Sequence, residues 1–197
     1  MTDERKPDHP IDPIFAERWS ARSFTGETMP ESDILSMFEA ARWAHSAANR
    51  QPWRFSYALR GDAGFERYVD FLDDGNREWA HKAAAVVIVM ARRQTRPADG
   101  TAPRPIGTRA FDAGCAVQSF TLQAAMLGYI AHPMAGILPD RIRAGLGVAE
   151  EDYDIEAAIA VGRLAPRDEL PERFREREKK SPRLPISETA FRGGFKG

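Results

Sequence analysis

Glu39-Ala40-Ala41-Arg42-Trp43-Ala44-His45-Ser46-Ala47-Ala48-Asn49-Arg50-Gln51-Pro52-Trp53-Arg54-Phe55 changes its period twice in seventeen residues. Its first five residues close a helical pattern over 30–43. There Ile34, Phe38 and Ala41 share a face, Pro30 suits the first turn, and Glu31 and Asp33 favour the positive end of the helix dipole. Residues 45–52 break that pattern with small and polar side chains and a proline, so they predict a loop or helix end. From Trp53 onward, Trp53, Phe55, Tyr57 and Leu59 alternate at strand period. Helix, loop and strand in direct succession predict a chain that mixes α and β, with Trp53 as a core residue.

Working toward the N-terminus, residues 20–30 hold Gly26 and Pro30 and read as irregular, after a short helix over 11–19. Residues 1–10 are charged, contain two prolines, and are expected to form a flexible lead-in. Toward the C-terminus, 65–72 reads as helical. Residues 83–91, with Val86, Val87, Ile88 and Val89, read as a strand buried on both faces. The prolines and glycine of 94–105 predict a mobile surface loop. Residues 108–127 form the longest helical candidate. Phe111, Cys115, Leu122 and Met126 lie on one face and Ala113, Val117, Phe120 and Ala124 on another, as expected between layers or at a subunit interface. After Gly128, Pro133 and Gly136 mark a turn, 138–145 a short helix and 155–161 a strand. From Ala165 the chain is rich in Arg, Lys and Glu and reads as a solvated tail or an arm. Residues 11–197 are taken as one domain carrying that arm over about 165–197.

Composition narrows the function classes. The 197 residues carry a net charge of −1, which favours neither nucleic acid nor an anionic membrane as partner. Any anion site must be local. A single cysteine, Cys115, forms no internal disulfide, and His9, His45, His81 and His132 are scattered without metal-ligand spacing. The longest apolar run, 83–91, is far short of the about 20 residues a membrane helix needs. No signal-peptide pattern opens the chain, and a cytoplasmic location is expected. The sequence contains no Gly-x-Gly-x-x-Gly after a strand, no Walker loop and no nucleophile elbow. Nothing in the residues alone supplies a nucleophile with its base.

Arg18-Trp19-Ser20-Ala21-Arg22-Ser23-Phe24 has the chemistry of a phosphate grip, because a guanidinium pairs bidentately with phosphate oxygens and a hydroxyl adds a donor. It resembles the Arg-x-Ser-x-Arg-x-Phe motif that opens nitroreductase-family domains. The 39–55 stretch resembles that family's Ala-Arg-x-Ala-Pro-Ser-x-x-Asn-x-Gln-Pro-Trp-x-Phe signature, in order and at the expected distance. Asp112-Ala113-Gly114 with Gln118, Leu122 and Ala124 resembles its central helix, and His132-Pro133-Met134-Ala135-Gly136 the turn beside the flavin ring. The resemblance spans roughly 11–183. Trp19, His45 and Ala135 depart from the family's usual basic residue, proline and glutamate, and the interval from Lys180 to Arg183 is wider than usual.

The resemblance implies an α+β sandwich, its central, mainly antiparallel sheet flanked by helices, in an intertwined homodimer with a composite FMN site. Arg18, Trp19, Ser20, Arg183 and Lys180 are then the residues around the phosphate. Arg22 is placed at the N1/O2 side of the ring, where a cation favours reduced flavin. Ser46, Ala47 and Asn49 approach the flavin held mainly by the other subunit, and the turn with Pro133, Met134, Ala135 and Gly136 lies beside the ring, its 135–136 backbone offering an N–H toward N5. The implied activity is transfer of electrons from NADH or NADPH through FMN to a small nitroaromatic or quinone acceptor, with ping-pong kinetics. A specialised flavin enzyme of the same fold (dehalogenase, enoate reductase or flavin-fragmenting) and a non-catalytic flavin-binding protein stand as alternatives.

Overall fold

The computed structural model describes residues 5–97 and 99–195. Residues 1–4 of the expected lead-in, Ala98 of the 94–105 loop and residues 196–197 of the expected arm lie outside the described residues. In chain order the elements are α1 (Pro13–Glu17), α2 (Glu31–Arg42), β1 (Trp53–Leu59), α3 (Phe65–Val69), α4 (Asp74–Ala80), β2 (Ala85–Arg92), α5 (Arg109–Met126), β3 (Ile130–Met134), α6 (Pro139–Leu146), β4 (Tyr153–Gly162) and α7 (Glu172–Arg175).

The four strands form one sheet in the order β1-β2-β4-β3, with every pairing antiparallel. Strand alternation divides the core into two layers. Val86, Ile88 and Met90 of β2, with Ala158 and Ala160 of β4, face a cluster that includes Phe65, Tyr68, Trp79 and Ile142 from α3, α4 and α6. Val87 and Val89, with Ile159 and Val161, face the opposite cluster, where Ile34 and Met37 of α2 meet Ala116, Phe120 and Ala124 of α5. Because both faces of β2 are covered, its sequence is a continuous apolar run. This is the expected α+β architecture of an antiparallel sheet between helical layers.

Three elements differ from the sequence reading. Residues 132–134 were expected in a turn but belong to β3, which pairs with β4 from Ile130↔Gly162 to Met134↔Ala158. Pro133 is tolerated because β3 is an edge strand, where a missing N–H need not interrupt a ladder. Helix α3 ends at Val69, short of the 65–72 pattern, and Leu72 bridges to Ile137 instead. Helix α4 was not foreseen. Only Trp79 and Ala80 of its seven residues are buried, so no apolar stripe betrays it; the Asp73 side chain caps it, accepting from the Asn76 N–H at 2.8 Å.

Of the two apolar faces of α5, the one with Ala113, Phe120 and Ala124 is buried. On the other, Phe111 and Met126 are 69 % and 65 % exposed. The C-terminal arm, from Ala165 on, carries α7 and two short 3-10 turns and buries Leu170 and Glu178. Among the described residues, no helix is long and apolar enough to cross a membrane.

Candidate functional site

Three separate parts of the chain converge on a cavity of about 340 Å³. Arg18, Trp19, Ser20 and Arg22 enter from the segment after α1, His132 from β3, and Arg177, Lys179, Ser181 and Arg183 from the arm; Arg5 completes the wall. Six of these residues are Arg or Lys and none is acidic. A second cavity, of about 390 Å³, lies between the N-terminal stretch and the arm; it shares Arg5 and Arg183 with the first, and its lining adds Asp8 and the apolar Ile11, Phe15 and Leu184.

Local hydrogen bonds hold the cationic wall in place. Arg5 donates to the carbonyls of Ala16 (2.9 Å), Arg18 (2.7 Å) and Ser181 (2.8 Å), stitching the N-terminal stretch to the arm. The Ser23 hydroxyl donates to the Pro166 carbonyl at 2.7 Å. Glu178 accepts from the Arg22 and Ser23 N–H groups at 2.7 and 2.9 Å. Arg183 bends back on its own backbone, donating to the Ser181 and Pro182 carbonyls. The guanidinium of Arg18 is pulled below its usual proton affinity by burial and then by the like charge of Arg183. Cations crowded in this way call for an anion, and a phosphate monoester, with a charge near −2, matches two or three of them.

His132 is the least expected member of the wall. Its Nδ1 lies 2.9 Å from the Ala21 carbonyl, which can only accept, so Nδ1 carries the proton. Burial, helped by Arg22 and Arg18, lowers its pKa to about 4, and the ring is neutral at physiological pH. Trp79 packs against it with ring centroids 4.7 Å apart.

The 46–52 loop is built differently. Ala47 donates its N–H to Asp112 Oδ1 at 3.3 Å, and the Thr108 hydroxyl donates to Oδ2 at 2.9 Å. The Gln51 N–H donates to Ser46 Oγ at 3.0 Å, and the Gln51 amide donates to Asn49. Ala48, Asn49 and Gln51 all have positive φ, of 50°, 51° and 46°. The left-handed region costs an L-residue roughly 1–2 kcal/mol, so this loop stores strain that its contacts must hold.

The structure thus brings together Arg18, Trp19, Ser20, Arg22 and Arg183. It does not bring Ser46, Ala47 and Asn49, nor Pro133, Met134, Ala135 and Gly136, into the lining of that cavity. On the arm, Lys179 lines it where Lys180 does not. Gly136 has its own steric reason: a Cβ there would lie 2.2 Å from Asp73 Oδ2, and its carbonyl accepts from Asp73 N–H and Asn76 Nδ2. Sequence reasoning missed Arg5, Arg177 and Lys179, and named His132 only as the first residue of the 132–136 turn, not as part of the cationic wall. A lone His and scattered cations carry no spacing signal; only the fold assembles them.

The profile of the nitroreductase family matches residues 15–78 and 62–163. A Streptomyces coelicolor protein with a provisional NADH dehydrogenase/NAD(P)H nitroreductase name is 29 % identical over 167 residues, covering 77 % of this chain and 82 % of its own. A crystal structure described as an oxidoreductase containing FMN superposes with a TM-score of 0.95 at 40 % identity, covering 100 % of this chain and 98 % of that one. A nitroreductase-fold protein from Desulfovibrio desulfuricans, solved with FMN, gives a TM-score of 0.72 at 22 % identity, covering 95 % of this chain and 100 % of its own, a likeness of fold. With the same α+β sheet, the arginine motif on the cavity wall and the 39–55 signature beside α5, this chain belongs to the nitroreductase family.

Proposed function

We propose that this protein is an FMN-dependent oxidoreductase that takes electrons from NADH or NADPH and delivers them to a small organic acceptor of nitroaromatic or quinone type. The observation that carries the reading is the acid-free cavity lined by Arg18, Ser20, Arg22 and Arg183, a cradle for a phosphorylated ligand. Bound FMN supplies the two-electron chemistry, and the protein supplies binding and electrostatics. Arg18 and Arg183 neutralise the phosphate, and Ser20 adds a hydroxyl donor. Arg22, which lines the cavity, would stand on the N1/O2 side of the ring. The backbone of Ala135 and Gly136 offers the N–H toward N5, with Pro133 and Met134 leading into it from β3, and Asp73 and Asn76 hold the Gly136 carbonyl. Donor and acceptor use one pocket in turn, so ping-pong kinetics is expected.

The site is completed by a second subunit. Ser46, Ala47 and Asn49 do not line their own chain's cavity, which fits a loop that serves the partner's. The exposed Phe111 and Met126 on α5 give a homodimer an apolar face to bury.

The test is the visible absorption spectrum of the purified protein, with chromatography of the released cofactor. A yellow protein releasing FMN at about one per chain supports the reading. A colourless protein that takes up no added FMN overturns it. NAD(P)H oxidation with a generic acceptor separates an enzyme from a flavin-binding protein without turnover.

A further inference from the structure

Glu178 sits in the basic run Arg177-Glu178-Lys179-Lys180, yet its side chain is only 2 % exposed. Oε1 accepts two backbone N–H groups, from Arg22 and Ser23. Oε2 has no hydrogen-bond partner among the described residues, and Arg22 Nη1 lies 3.6 Å from it. A buried carboxylate oxygen without a hydrogen bond is costly, and here the compensation is the pull of that guanidinium. Arg22 lines the cavity and Glu178 does not, so the carboxylate acts on a ligand there through Arg22.

We propose that Glu178 is a positioning residue that fixes Arg22 and offsets part of its charge, holding the reduction potential of the bound flavin below the value Arg22 alone would impose. The inference rests on the FMN reading above and deepens it. Reduction adds negative charge to a flavin, and a nearby cation stabilises the reduced form; a carboxylate paired to that cation weakens the effect. A purely structural clasp between arm and motif would need only the Oε1 acceptor. The second oxygen, turned to Arg22 without a hydrogen bond, is what a clasp does not explain.

The test is a spectroscopic redox titration of the FMN-loaded protein and its Glu178→Gln variant. Glutamine keeps the size and the Oε1 acceptor for both N–H groups, removes the charge, and puts an NH2 group where Oε2 faced Arg22. The expected result is a more positive midpoint potential in the variant, by about tenfold in the two-electron equilibrium (~30 mV). In an Arg22→Ala background the Glu178→Gln shift should vanish. An unchanged potential in the FMN-loaded Glu178→Gln protein overturns the proposal, and so does a shift that persists without Arg22. If Glu178→Gln does not fold, Arg22→Gln carries the test: the potential must fall below wild type, and an unchanged value overturns the proposal. Wild-type protein that takes up no FMN overturns the functional reading itself, a failure visible before any potential is measured.

Discussion

The arginine cavity and the 46–52 loop are two half-sites made by opposite means. The cavity gathers cations as far apart as Arg5, Arg22 and Arg183 around a neutral His132, and nothing acidic lines it. The loop is local, contributes no cation to that cavity, and is held by one buried carboxylate, Asp112, against three positive-φ residues. The first region stores electrostatic repulsion that a ligand relieves; the second stores backbone strain that the fold itself must hold. A variant in the cavity should therefore be felt in ligand affinity, and a variant in the loop in the stability of the ligand-free protein.

The largest effect is expected from Arg18→Ala. Hydrogen bonds to charged groups are worth about 1.5–3 kcal/mol each, and Arg18 can offer two, so FMN affinity should fall on the order of 100-fold or more. Stability without flavin should change little or rise, because Arg183 loses a like-charged neighbour. Fluorescence titration with FMN measures the first and urea unfolding the second. Unchanged flavin stoichiometry and affinity would remove Arg18 from the phosphate site.

A pH experiment sharpens the same side of the comparison. The pKa of His132 drops from 6.5 to about 4 on folding. Between those values the unfolded chain binds the extra proton, so stability falls as pH is lowered through the window and is fully present above 6.5. The contribution is at most about 3 kcal/mol. Flavin-free wild type should therefore lose more stability from pH 7 to pH 4 than His132→Gln, measured by urea unfolding at each pH. Parallel losses in the two proteins would show that His132 is not buried neutral.

On the loop side, Asp112→Ala leaves the Ala47 N–H and the Thr108 hydroxyl without their partner. A cost of about 1–3 kcal/mol in the flavin-free protein is expected, read from the urea midpoint. Asp112→Asn, which keeps an acceptor, should lose less. If Asp112→Ala is neutral in stability, the loop is not held as described.

The two regions also differ in how much of them the sequence betrayed. β1 was legible to the residue because Trp53, Phe55 and Tyr57 alternate, and β2 because both its faces are covered. Of the α2 face read as Ile34, Phe38 and Ala41, Ile34 and Ala41 are buried and Phe38 is partly buried against the same cluster, with Met37 buried beside them. Local motifs marked Arg18, Ser20 and Arg22, and the structure puts them on one wall. The remainder of that wall depends on long-range closure. Arg5 and Ser181 are 176 residues apart, and Glu178 looks like any acid in a charged run until its burial is seen. β3 was hidden because Pro133 reads as a turn unless the strand is known to be at an edge. The strain at Ala48 was equally invisible, since no glycine marks the position.

That strain gives the smallest and most discriminating prediction. Ala48 has φ 50° and ψ 31°, where glycine sits without penalty. Ala48→Gly relieves the left-handed cost but makes the unfolded chain more flexible, so the two effects partly cancel. A net gain of up to about 1 kcal/mol in the flavin-free protein is expected from urea unfolding. In the proposed dimer the outcome for FMN should be the reverse, because a loop freed from strain is also freed from the single conformation that it presents to the partner's flavin. Modestly weaker FMN binding with higher stability would separate the two half-sites as drawn, one governed by charge and the other by shape. A variant that loses stability would place the loop's geometry under the control of the Ala48 side chain instead, and the contrast with the cavity would no longer rest on backbone strain.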